Sequence, residues 1–434
     1  MNKKNLIVFE INEFDYKFFI YGSKKYKFPQ IKNFFKLEKK NTITKDNKEG
    51  LNLDPWVQWV SAHTGKDSNK HKVLRIGQVL DKDIRQVWEK LPNKKRVSIW
   101  GLFNSILRKK NNIDLFYPDP WSFTQKAYPE NLNSFLALPR YYAKNYPNFN
   151  LSDILNCSLK LLNKVLFSGI IFFIIKNIIS LTSIFFRSGL SSFNIYFLFD
   201  IFSLILLREQ LNKNRSDLVI IGLNSFAHYQ HNYWNEKKYE KIYFWYLNQM
   251  IIEMNKISQN YNSKIVFNGF SQKKVRVNYY PRIIDQKKFF KDLKINYIRH
   301  EINMTYGGTI YFKSLNDKYK AIKILKQIGY NNKRLFDVSD FNNEKKIFYS
   351  INFVFINKNN FKEINKLPKK NIVNDKSIFK KIIKNIKLNQ STSRHLQNGL
   401  IFFSSEIRLK KTYFIRNYFY NQKLYNLILD YFKN

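Results

Sequence analysis

Four short apolar runs limit the fold most: Leu6–Ile11 (LIVFEI), residues 96–101 (RVSIWG), residues 217–223 (DLVIIGL) and residues 264–267 (KIVF). Runs of this length and composition fit strands buried on both faces, as in the middle of a parallel sheet. Each later run is preceded by a helix-like stretch, residues 239–260 being the clearest. Strands alternating with helices imply a mostly parallel sheet covered by helices on both sides. Sites in such sheets form at the carboxyl ends of the strands, which here are Asn12, Gly101, Asn224 and Asn268.

Between the first two runs, Asp54-Pro55 opens a helix that runs through VQWV and stops near Gly65. Asp suits an N-cap, and Pro needs no intrahelical N–H at the first position. Residues 151–213 form a helical insertion between the second and third strands. It contains a bilayer-length apolar stretch, residues 165–186, with Lys176 near its middle. A mid-span lysine is costly in lipid. The return stretch, residues 193–207, is short and carries Asp200. The segment therefore reads as a cap that packs on the core or touches a membrane surface. Residues 309–330 read strand, turn, helix; residues 348–356 read as a strand; the Lys/Asn-rich residues 357–388 read as a surface excursion.

Length allows one to three domains, and the even run of strands favours one. Cys157 is the single cysteine, so an intrachain disulfide and a thiolate-rich metal site are excluded. Lys and Arg number 75 against 32 Asp and Glu, a net charge of +43. The basic residues are spread along the chain, and Lys, Asn, Ile, Phe and Tyr all use A/T-rich codons. Both facts disfavour nucleic acid as a partner, because nucleic-acid binders concentrate their charge. Such a field still draws in anionic substrates. After MNKK come the acids of NLIVFEINEFD, too early for a secretory signal. The expected location is cytoplasmic, with peripheral membrane contact through the 165–207 helices.

Five stretches, in order, resemble the alkaline phosphatase superfamily, in particular its type I phosphodiesterase/nucleotide pyrophosphatase branch. They are NLIVFEIN; WVQWVSAHTGKDSNKH, residues 56–71; FAHYQHNYW, residues 226–234, after DLVIIGL; NGFSQ after KIVF; and SRHLQNGLIFF, residues 393–403. Together they span nearly the whole chain. The resemblance implies an α/β fold with a mostly parallel central sheet flanked by helices and a helical cap. It also implies phosphoryl-transfer chemistry on two divalent ions about 4 Å apart.

Carried over position by position, the resemblance keeps part of that site. His231 and His395 match histidine ligands of one ion, zinc or manganese. Their aspartate partner falls on Ala227, and His228, four residues after Asn224, is a substitute. The second ion loses its ligands: Asn12 stands for the first-strand aspartate, and Asn268-Gly269-Phe270 for an Asp-His pair. One ion at most is therefore expected. Asp54 holds the nucleophile slot, and Asn12 joins it as a catalytic candidate. Bland alternatives stand beside these. His231 and His395 would serve equally as core histidines, and Asp54 as a simple cap. Glu13 reads first as a solvated turn residue, with a ligand or general-base role as the alternative; His63 and Thr64 read as the helix end, and His71 as a surface loop residue; His300 stays open.

Trp56, Trp59, Trp121 and Trp234 lie in segments near the expected site, Trp121 in the PDPWS loop. Indoles at a rim suit stacking on sugar rings, although large aromatics equally fill cores. The expected function is hydrolysis or transfer of a phosphate or sulfate ester, on a small molecule or a surface glycan or its precursor. The alternative is a non-catalytic binding protein that kept the fold.

Overall fold

In the computed structural model, the described residues are 4–44, 53–108, 111–145, 150–189, 191–302, 307–330, 333–341, 344–351 and 384–433. Most of the excursion expected at 357–388, and the end of the strand expected at 348–356, lie outside them. The chain forms two compact units where the sequence reads as one domain. The first comprises Met1–Asn145, Phe149–Arg276 and Thr392–Asn434, and the second Tyr146–Asn148 with Val277–Ser391.

The first unit begins with β1 (Leu6–Ile11), α1 (Tyr16–Lys25), α2 (Pro29–Phe34), β2 (Glu38–Ile43), α3 (Pro55–Thr64) and α4 (Ser68–His71). It continues through β3 (Val97–Leu102), β4 (Ile113–Pro118) and the helices α5 (Asn133–Asn145), α6 (Leu151–Leu166), α7 (Gly169–Lys176), α8 (Ile178–Ser188) and α9 (Ser192–Lys213). Then come β5 (Leu218–Leu223), α10 (Ser225–Asn232), α11 (Lys237–Ser258), β6 (Ser263–Phe267) and β7 (Ser271–Ile283), which leads into the second unit.

The second unit holds α12 (Gln286–Asp292), β8 (Arg299–Ile302), β9 (Gly307–Tyr311), α13 (Leu315–Gln327), β10 (Gly329–Tyr330), β11 (Lys333–Arg334), β12 (Phe336–Asp340) and β13 (Lys346–Ile351). Its four-stranded antiparallel sheet has the order β12-β13-β9-β8. Phe289, Phe290, Ile310, Leu325 and Phe336 fill its own core. His300 belongs to this unit, with Nε2 3.1 Å from the Tyr349 hydroxyl. The chain returns through β14 (Ile386–Leu396) to β15 (Asn398–Phe403), β16 (Phe414–Ile415), β17 (Tyr418–Tyr420) and α14 (Lys423–Lys433).

The central sheet has nine strands in the order β16-β17-β2-β15-β6-β1-β5-β3-β4. The five from β6 to β4 run parallel. All four apolar runs read from the sequence are among them. Their continuous hydrophobicity follows from burial on both faces. Ile7, Phe9 and Ile11 face a layer that includes α9 and α11, while Leu6 and Val8 face one that includes α3 and α14. The edge strand β4 was not evident in the sequence, and the PDPWS loop follows it.

His71 corrects the reading of a surface loop: it is buried. The Val73 N–H donates to its Nδ1 (3.0 Å), so Nε2 carries the proton and donates to Ser61 Oγ (2.9 Å). Burial pushes its pKa from 6.5 down to about 4. The folded state thus binds fewer protons than the unfolded state between pH 6.5 and 4, and stability is lost as pH falls through that window. The full loss is on the order of 3 kcal/mol. His71→Gln, which can keep both hydrogen bonds, is expected to lose less stability than the parent between pH 7 and pH 4.5 in urea unfolding. An equal loss in both proteins would contradict the assignment.

Candidate metal centre

Three side chains converge at the carboxyl ends of β1 and β5. Glu13 follows β1 by two residues, His231 lies in the last turn of α10, and His395 lies near the end of β14. Glu13 Oε2 is 2.9 Å from His395 Nε2 and 3.1 Å from His231 Nε2, and the two nitrogens are 3.4 Å apart. Among the described residues this is the one group of three with ligand atoms so disposed.

Glu13 corrects the reading of a solvated turn residue, for it is only 1% exposed. Strand alternation predicts its direction only inside the strand. Here φ is +59°, a left-handed turn that brings the carboxylate back over the strand ends. Asn12 Nδ2 donates to Glu13 Oε1 (2.9 Å), and Gln272 Nε2 donates to Oε2. Burial works to raise the Glu13 pKa, but the charges and hydrogen bonds of His395 and His231 outweigh it, holding the carboxyl well below its usual range. His395 moves the opposite way. Burial works to lower its pKa, while the Glu13 carboxylate, Asp54 and the Leu53 backbone raise it above the usual value.

Outer partners orient the imidazoles. Ser393 Oγ lies 3.0 Å from His231 Nδ1, which turns Nε2 toward Glu13. The Leu53 backbone hydrogen-bonds His395. Fixing one ring nitrogen to aim the other is how metal-binding histidines are held. The donor set suits a divalent ion. One carboxylate oxygen and two imidazole nitrogens are ligand types found around zinc, and tetrahedral zinc with Zn–N bonds of 2.0–2.1 Å needs neighbouring ligands about 3.3 Å apart. The three separations here are 2.9, 3.1 and 3.4 Å.

Asp54 stands beside this group. It occupies the N-cap position of α3, yet its side chain makes no capping hydrogen bond. Burial, with the Glu13 charge adding and His395 opposing, pushes its pKa up to about 7. Its carboxylate is therefore uncommitted to the helix and coupled to the cluster.

The other sequence candidates fall elsewhere. Asn12 is a clamp: it donates to Asn224 Oδ1 (2.7 Å) as well as to Glu13, and it accepts from Trp59 Nε1 (2.9 Å). Asn268 ties strand ends in the same way, donating to the Phe14 carbonyl and accepting from the Leu400 N–H. Gly399 makes room for it, since a Cβ there would lie 2.3 Å from Asn268 Oδ1. His228 is not in the ligand group. It stacks on Tyr196 at 3.7 Å and meets Asn224, and burial with the His231 charge pushes its pKa down to about 3. Trp56, Trp59 and Trp234 are buried, which favours the core-filling reading over sugar stacking. Trp56 Nε1 donates to the Leu74 carbonyl, and Trp234 packs against Phe18 at 5.4 Å. Trp121 alone is half-buried, in a loop whose backbone donates to Asp119. His63, read as the helix end, is a buried partner of Glu10 at 2.7 Å.

No family model matches the chain, and no curated protein matches it. Solved structures do. Murine ectonucleotide pyrophosphatase/phosphodiesterase 5 is 10% identical, with a TM-score of 0.42 over 98% of this chain and 94% of that one. Its inactive form in complex with AMP gives 9% and 0.44, over 99% and 95%. Phosphonoacetate hydrolase from Sinorhizobium meliloti, in complex with phosphonoacetate, gives 9% and 0.40, over 99% and 96%. Likeness at this level transfers neither residues nor activity.

Proposed function

We propose that this chain is a hydrolase or transferase of phosphate or sulfate esters, alkaline-phosphatase-like in its lineage, with one metal position kept and the second lost. The observation that carries the reading is the convergence of Glu13, His231 and His395 beside the uncommitted carboxyl of Asp54. Glu13 supplies the acidic ligand that the resemblance looked for at Ala227. Asn12 and Asn268 stand where the second ion would need carboxylates. Neutral amides that clamp strand ends require no second ion.

A bound divalent ion would supply Lewis acidity toward an ester oxygen. Glu13, His231 and His395 would hold it. In hydrolysis Asp54 takes a proton from the attacking water as its oxygen bonds to phosphorus or sulfur. The ester alcohol leaves with a proton from Asp54 or solvent as its bond breaks. Both steps suit a carboxyl whose basicity is raised toward neutrality. Asn12 and Gln272 hold Glu13 in place. The surrounding positive field favours anionic esters, on small molecules or glycans, with peripheral membrane contact through the helical insertion.

The test is turnover of aryl phosphate monoesters, aryl phosphate diesters and aryl sulfates with added zinc or manganese. At least one class is expected to be hydrolysed, the activity to disappear with a chelator, and His231→Ala to be inactive. A protein that binds metal yet turns over none of these esters would favour the binding-protein reading, to which the amide-filled second position also points.

A further inference from the structure

Helices α6, α7 and α8 carry more apolar surface than the fold buries. The leucines at 151, 155, 159, 162 and 166 of α6 follow steps of four, four, three and four, so they share one face, and all five are exposed. α7 and α8 are apolar on two sides. Ile170, Phe173, Leu181 and Ile184 point into the main core. Phe172, Ile175, Ile178, Ile179 and Phe186 stay exposed, with Ile179 at 85% and Phe186 at 93%. Phe167, between α6 and α7, is 89% exposed. Surface apolar patches of this extent mark an interaction site.

The local charge identifies the partner. Between positions 151 and 199 the only acid is Asp153, against Lys160, Lys164, Lys176 and Arg187. Lys176 and Arg187 sit in the last turns of α7 and α8. Among the described residues no single helix is long and apolar enough to cross a membrane. α7 and α8 together have the length and hydropathy, but they bend by 72° at the break between them. A bent apolar pair with cations at its ends suits the interface plane, with rings and aliphatic chains below and lysine and arginine heads among lipid phosphates. A protein partner would need matching shape and acidic complementarity, whereas side chains that stand this clear of the surface enter a bilayer without either.

We propose that α6–α8 dock peripherally on an anionic bilayer. The docking element is tied to the metal-centre region: from α9, the Asp200 carboxylate accepts from the Asn224 and Ser225 N–H groups at the start of α10, and Tyr196 stacks on His228. Docking would bring the site to esters held at a membrane surface. That use rests on the function proposed above, but the docking itself does not.

The test is co-sedimentation with vesicles of phosphatidylcholine alone and of phosphatidylcholine mixed with phosphatidylglycerol, using the whole chain. Binding is expected to the mixed vesicles and to fall at least tenfold in Phe172→Ser/Ile179→Ser/Phe186→Ser, with ester hydrolysis in solution unchanged. These side chains are exposed, so the variant's thermal unfolding should match the parent's. Because the variant keeps every charge, undiminished binding would mean attraction by net charge alone and would overturn the proposal. So would equal binding to neutral vesicles. A parent that ignores vesicles would also overturn it, and a concentration-dependent dimer abolished by the same substitutions would then assign the face to a second copy of the chain. Loss of hydrolysis with docking intact would count against the function alone.

Discussion

Asp54→Asn is expected to lower kcat by about 10²–10⁴-fold, the range for losing a positioned acid–base group. The fold should be untouched, because the Asp54 side chain makes no capping bond to α3 and the substitution is nearly isosteric. Without a metal ion, burial, opposed by His395 and helped by the Glu13 charge, holds the carboxyl up to about 7. A divalent ion among Glu13, His231 and His395 favours its charged form and draws the pKa downward. The carboxylate is the active form, so activity should rise with pH along a limb at or below 7, and that limb should vanish in the variant. Parallel pH–rate profiles of parent and variant check this. Unchanged kcat with the limb intact would remove Asp54 from the chemistry and leave it a plain helix start.

Much of the scaffold was legible because strand periodicity is local. The runs around Leu6–Ile11, Leu218–Leu223 and Ser263–Phe267 lie in the parallel sheet where their apolar character put them. The site was only half legible. His231 and His395 are brought together by a helix and a strand far apart in sequence, and the resemblance of their segments was enough to suggest them. Glu13 was read first as solvated because it lies past the strand's end, where alternation no longer sets direction; φ of +59° turns it back over the site. The acid immediately after the first strand was the available signal. Gln272, which bonds both Glu13 and His231, gave no signal, since a glutamine after a strand resembles any surface residue. The tryptophans stayed open between rim and core for a simpler reason: proximity in sequence to a site does not say which way an indole points. Trp59 turns inward, to Asn12 and to Phe267 at 5.4 Å.

The second large effect concerns Glu13. Glu13→Gln keeps the volume and an acceptor for Asn12 Nδ2 and loses only the acceptor for Gln272 Nε2, so it disturbs the buried network less than truncation does. Glu13→Ala would strand the donors of Asn12 and Gln272 at a cost of about 1–3 kcal/mol each, which would confuse folding with binding. The Gln variant removes the single negative charge among the three ligands and leaves two imidazoles. Metal affinity is expected to fall by more than about 100-fold, beyond the usual loss for an outer-shell partner.

Plasma mass spectrometry of metal-loaded, desalted protein is the direct measurement of whether this group is a metal centre. The parent should retain about one zinc or manganese ion per chain, Glu13→Gln far less, and His231→Ala/His395→Ala none. A parent that retains no metal, or a double variant that retains as much as the parent, would contradict the assignment of Glu13, His231 and His395 as its ligands.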